Sequence, residues 1–117
     1  MQTQLIFFDI HPWGDILQSM RVRHADRRLE RLEIDSSYDA GFGRPIVRGF
    51  RKVMGWIREA DDKRDLYMLR SLHYEKLLGA RRHQRSLRLN DQYRLIVEIE
   101  EMQGTRAIVV VAIEDYH

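Results

Sequence analysis

Arg88-Leu89-Asn90-Asp91-Gln92-Tyr93-Arg94-Leu95-Ile96-Val97-Glu98-Ile99-Glu100 is the stretch whose reading decides the fold. From Tyr93 the side chains alternate across an extended chain: Tyr93, Leu95, Val97 and Ile99 share one face, while Arg94, Glu98 and Glu100 share the other with Ile96. That pattern predicts a strand with one face in a core, and it sets Arg94 off the main core face. His83 to Leu89 alternates in the same way, with Leu87 and Leu89 opposite Ser86 and Arg88, and Asn90-Asp91 supplies the turn between the two. Beyond Gln103-Gly104, Ala107 to Ile113 is apolar on both faces, as in a strand covered on both sides. Three strands joined this way predict an antiparallel meander.

Toward the N-terminus the pattern changes period. Arg44 to Ala60 reads as a helix: Pro45 suits the first helical position, and Ile46, Val47, Phe50, Val53, Met54 and Ile57 form one stripe. Arg48, Arg51, Lys52, Arg58 and Glu59 fall opposite and are expected to form a solvated face. Asp61-Asp62 is expected to stop this helix, and Asp65 to Leu72 to form a short ordered connection. Ser36 to Gly43 is turn chemistry, and Ala25 to Leu32 carries Leu29 and Leu32 at helical spacing. Met20 to His24 reads as an opening strand. The fold class is therefore α+β, with N-terminal helices packed on a small antiparallel sheet. Residues 1–19 hold an apolar patch, Leu5 to Phe8, and a breaker cluster, His11 to Gly14. They are read as an N-terminal extension to a domain spanning residues 20–117, in preference to an edge strand.

The bulk numbers narrow the class. A chain of 117 residues has room for one core. Its net charge of only +2 still allows a basic face, because 20 Lys and Arg are present and the 18 acids can lie elsewhere. Without cysteine there is no disulfide framework and no thiolate metal site, which fits a cytoplasmic protein. The longest apolar run, Ala107 to Ile113, is far short of the roughly 20 residues of a membrane span, and no signal-type core opens the chain.

The chemistry concentrates after Leu72. RNA is cut without metal when a base takes the 2′-OH proton, cations hold the phosphate and an acid protonates the departing 5′ oxygen. Lys76, Arg81, Arg82, Arg85, Arg88 and Arg94 supply the positive charge and the bidentate geometry that a phosphate accepts. His73, His83 and His117 titrate near neutrality, and Asp115 can orient an imidazole or accept a proton. In an extended tail Asp115 and His117 share a side and Tyr116 takes the other. Each group read alone has a plainer meaning: a loose tail, a surface histidine, an anion-binding patch. A metal site from His73, Asp115 and His117 lacks any short ligand spacing, so neither metal nor cofactor is expected.

The order of features resembles HigB-type toxins of the RelE/ParE superfamily. The motifs are Leu72-His73 with Lys76, then Arg88 to Arg94, then Asp115-Tyr116-His117, within a match of roughly Met20 to His117. The resemblance implies a RelE-like fold with a mixed-edge sheet, and cleavage of mRNA in the ribosomal A site by a metal-independent endoribonuclease. It also implies a HigA-like antitoxin with a helix-turn-helix domain. By the same resemblance His73, Arg94, Asp115, Tyr116 and His117 are the catalytic set, with Lys76 a phosphate-side cation and Arg81, Arg82, Arg85 and Arg88 the RNA-binding group. Leu77-Leu78 separates Lys76 from Gly79, where the family commonly has Lys-Gly. Two other readings remain open: a toxin of this fold that poisons gyrase, as ParE-like relatives do, and a non-catalytic basic RNA-binding module.

Overall fold

The protein is described by a computed structural model over residues 21–60, 73–102 and 105–116. Its elements are β1 (Arg21–His24), α1 (Arg27–Ile34), α2 (Arg44–Glu59), β2 (Glu75–Lys76), a 3-10 turn (Gly79–Arg81), β3 (Gln84–Arg88), β4 (Tyr93–Met102) and β5 (Thr105–Asp115). The strands form one five-stranded sheet in the order β1-β5-β4-β3-β2. β1 runs parallel to β5, and every other pair is antiparallel. The α+β expectation holds, and the parallel edge makes the sheet mixed.

α1 begins two residues later than the leucine spacing suggested, because Asp26 caps it: its carboxylate accepts from the Arg28 backbone N–H at 2.8 Å. α2 places Val47, Phe50, Val53, Met54 and Ile57 in the core, as its stripe predicted, and ends at Glu59 with Ala60 as its cap. Asp61-Asp62, the connection to Leu72 and the N-terminal extension lie outside the described residues. The helices cover one sheet face, where Leu87, Leu95, Val97, Ile108 and Val110 join the helical residues in a single cluster. At α2 the chain comes very close to the β3–β4 turn: a Cβ on Gly49 would lie 2.6 Å from the Leu89 carbonyl oxygen.

The solvated helix face needs correction at Arg51, whereas Arg58 stays exposed as expected. Arg51 turns inward, donating to the carbonyls of Leu32 (3.0 Å), Asp35 (2.9 Å) and Tyr38 (3.0 Å), so it satisfies the end of α1 and the following loop. Arg58 forks onto Glu33, whose carboxylate also meets His24 Nε2 at 2.8 Å, tying β1, α1 and α2 together. Charge at helical spacing shows where a residue starts, but a long arginine reaches whatever lone pairs are unfilled nearby.

The register of β4 against β5 matters most for the rest of the molecule. Leu95 pairs with Ile113 and Ile96 with Ala112, but Val97 pairs with Val110, so Val111 is an extra residue in a bulge. Ile108 and Val110 face the helices; beyond the bulge it is Ile113 that does so. Ala112 and Glu114 therefore turn to the face the helices leave uncovered, beside Ile96 and Arg94.

Candidate active site

The uncovered face of the sheet carries the site. Rows run across the strands: Glu75, Ser86, Ile96 and Ala112 form one, and Arg88, Arg94 and Glu114 form the next. Arg88 and Arg94 are like charges directly opposite each other, an arrangement that costs stability unless carboxylates intervene. They do intervene: Asp91 in the turn takes Arg88, while Glu75 lies 3.5 Å from Arg94 and Glu114 stands across the ladder from it.

Arg94 is the centre of the arrangement. Its side chain is only 13% exposed. Nη1 donates to Ser86 Oγ at 3.1 Å, and the guanidinium lies 3.7 Å from the centroid of the Tyr116 ring, a cation–π stack. Arg94 Nε is buried and makes no hydrogen bond among the described residues. Ser86, 1% exposed, is itself a buried polar residue, and its hydroxyl fixes one edge of the guanidinium. Around this group opens a cavity of about 450 Å³, lined by Glu75, Lys76, Leu77, Leu78, Arg81, Ser86, Arg94, Ile96, Glu114, Asp115 and Tyr116.

The turn and the tail position the mouth. Asn90 Oδ1 accepts from the backbone N–H groups of Gln92 (2.9 Å) and Tyr93 (2.7 Å), closing the β3–β4 turn the sequence marked. Gln92 in turn holds the chain end: its carbonyl accepts from the Tyr116 N–H at 2.6 Å, and its side-chain amide donates to Asp115 Oδ2 at 2.9 Å. The tail is thus anchored at least as far as Tyr116.

The residues singled out from the sequence separate into three groups. Lys76, Arg81, Arg94, Asp115 and Tyr116 line the cavity. His73, Arg82, Arg85 and Arg88 do not. His73 is exposed, two residues before β2, with a left-handed φ of 47°. Arg82 is exposed on the turn before β3, and Arg85 donates to the Arg82 and Gln84 carbonyls at 3.1 and 3.2 Å. His117 lies outside the described residues. The Tyr116 ring stacks on Arg94, while Asp115, in register with Tyr93, takes the Gln92 side-chain amide.

Glu75, Ser86, Glu114 and Gln92 were not singled out from the sequence. Ser86 and Glu114 are visible only through register, since their neighbours on the face come from other strands. Glu75 had a local signal in its place beside Lys76, but a carboxylate in a basic segment reads as charge balance. Arg81 Nη2 meets Glu114 Oε2 at 2.8 Å and Glu75 lies 3.5 Å from Arg94, so the cavity's two arginines are met by its own acids. Among the described residues no group of three or more His, Asp or Glu is placed to hold a metal ion, and no helix is long and apolar enough to cross a membrane.

The architecture is similar to that of the YoeB/ParE toxin from Agrobacterium tumefaciens, with a TM-score of 0.51, 13% sequence identity, and an alignment over 84% of this chain and 100% of that one. At this identity the likeness shows a shared fold. No protein-family model and no curated protein matches the sequence.

Proposed function

We propose that this chain, built on the fold it shares with a YoeB/ParE toxin, is the toxin of a toxin–antitoxin pair that cleaves mRNA in the ribosomal A site. The observation that carries this reading is the contact between chain end and hairpin: the Tyr116 ring packs on a nearly buried Arg94 at the back of a cavity also lined by Arg81 and Lys76. A buried guanidinium with a fixed plane is a device for holding a phosphate as its charge grows, because the fork is already oriented and little water must be reorganised.

The reaction is attack of a 2′ oxygen on the adjacent phosphorus, breaking the bond to the 5′ oxygen and leaving a cyclic 2′,3′-phosphate. Arg94 and Arg81 hold the non-bridging oxygens. Glu75, whose carboxylate lies 3.5 Å from Arg94 at the cavity wall, joins His73 and Asp115 as a group able to take the 2′-OH proton. His117, next along the chain from Tyr116, supplies the proton for the 5′ oxygen. Lys76, Arg82, Arg85 and Arg88 neutralise flanking phosphates and ribosomal RNA. The HigB-type motif order supports a HigA-like helix-turn-helix antitoxin as partner, and ribosome-dependent action places the protein in the cytoplasm.

Induced expression is expected to arrest growth and leave cleaved translated transcripts. Arg94→Ala should lower cleavage by about 10²- to 10³-fold, the usual cost of losing one preorganised charge-stabilising group. Cleavage at the wild-type rate by folded Arg94→Ala protein contradicts the assignment. One observation favours a second reading, a gyrase-poisoning toxin: the cavity's arginines are already paired with carboxylates, and no described histidine lines it. Loss of supercoiling without mRNA cutting identifies that case.

A further inference from the structure

The cavity's walls bring three cations, Lys76, Arg81 and Arg94, against three carboxylates, Glu75, Glu114 and Asp115. A phosphodiester entering such a site meets no net positive charge and must displace an acid from any guanidinium it takes. The two acids nearest the arginines differ in how firmly they are held. Glu75 is 61% exposed, on a two-residue strand, and its contact with Arg94 is long at 3.5 Å. Glu114 is in register with Arg94 in the β4–β5 ladder, and its Oε2 meets Arg81 Nη2 at 2.8 Å. Arg81 is in turn oriented by Gln84, whose Oε1 accepts from its Nε at 2.8 Å.

A carboxylate and a phosphate offer a guanidinium the same pair of oxygens at the same spacing. From these contacts we infer that Glu114 is a specificity-determining residue: its carboxylate stands on Arg81 where a phosphate oxygen of the substrate must stand. It therefore excludes RNA that arrives free in solution. The inference rests on the reading of this cavity as the RNA site, and adds what that reading does not contain. The cost of moving Glu114 aside is negligible for a strand held in place by the ribosome, where local concentration is high, and decisive for one that diffuses in alone. The bulge at Val111 is what makes this possible, because it turns Glu114 onto the same face as Arg94.

The test is binding of a fluorescent single-stranded oligonucleotide, 2′-O-methylated so that it is not cut, to the full chain at several salt concentrations. Glu114→Gln keeps the shape of a side chain that is 41% exposed, so the fold is retained, as circular dichroism will confirm. The expected result is about tenfold tighter binding than wild type, with a salt slope steeper by about 0.7, the contribution of one more phosphate contact on a single strand. The gain should vanish when Arg81→Ala is added. Glu59→Gln, which removes the same charge from an exposed position on α2, should bind as wild type does. Equal binding by wild type and Glu114→Gln overturns the inference, as does a gain that survives Arg81→Ala or is matched by Glu59→Gln. Absence of measurable binding in both wild type and Glu114→Gln overturns it too. If Arg94→Ala abolishes cleavage while Glu114→Gln changes nothing, the nuclease reading stands and only the role of Glu114 falls. If Arg94→Ala changes neither binding nor cleavage, the RNA site itself is misplaced.

Discussion

Arg94 sits in a setting that strips away most of its water, and each neighbour compensates part of that loss. Ser86 accepts one N–H, Glu75 and Glu114 supply opposite charge, and the Tyr116 ring presents its negative face. A lysine at this position has no fork and no plane to stack. A second residue whose role is decided by contact is Gly49. Alanine is the better helix former by about 1 kcal/mol, yet a Cβ at position 49 meets a backbone oxygen at 2.6 Å that has no flexible end to move. Gly55, on the same helix, has nothing within 4 Å of its Cβ position. Urea denaturation should therefore give opposite signs. Gly49→Ala is expected to lose about 1–2 kcal/mol through overpacking, and Gly55→Ala to gain about 0.5–1 kcal/mol. Equal shifts for the two would mean that the Leu89 carbonyl does not constrain α2.

Among the elements, β1, α1 and α2 meet at one carboxylate. The Arg58 guanidinium, and less strongly His24, hold the Glu33 carboxyl below its usual range against the opposing effect of burial. A group whose pKa is lower folded than unfolded stabilises the fold above the unfolded value of about 4.3, and that contribution fades as pH falls through the folded value. Glu33→Gln should thus melt below wild type at pH 7, and the gap should narrow as acid is added toward pH 3. A gap that stays constant over that range would show that the carboxylate's charge does not contribute. The same three elements show why α2 is a poor surface for reading charge from sequence. Arg51 turns its guanidinium to α1 and its loop, whereas Arg48, Lys52 and Arg58 stay exposed on that face, Arg58 with its fork on Glu33.

Across the molecule, protection should follow the sheet order. β4 and β5 have neighbours on both sides and contribute residues such as Val97, Ile108 and Val110 that are fully buried, whereas β2 is two residues long and sits at an edge. Hydrogen exchange should be slowest at the centre of β4 and β5 and fastest in β2, because amides there open with only a small part of the structure. Comparable protection in β2 would show that it is held by more than its pairing with β3. If β2 is the least protected strand, the backbone carrying Glu75 and Lys76 is the part of the cavity wall able to adjust to a substrate, while Arg94 stays fixed on β4.

Alternation and helical spacing are local properties, so the opening strand, the three strands of the meander, the core stripe of α2, the Asn90 turn and the placement of Arg94 off the core face were present in the sequence, whereas the two-residue strand Glu75–Lys76 is too short to carry such a pattern. The tertiary structure decided which residues share Arg94's surroundings. One bulged residue, Val111, reverses the facing of everything after it, and counting by twos cannot detect it. It is the reason Glu114 lies across from Arg94 while Asp115 lies in register with Tyr93. Ser86 reads as a surface serine until β3 is laid beside β4, and Arg51 as a surface arginine until the end of α1 comes within its reach. Partners that meet across strands or between helices are set by register and packing, and neither is written in the spacing of residues along one element.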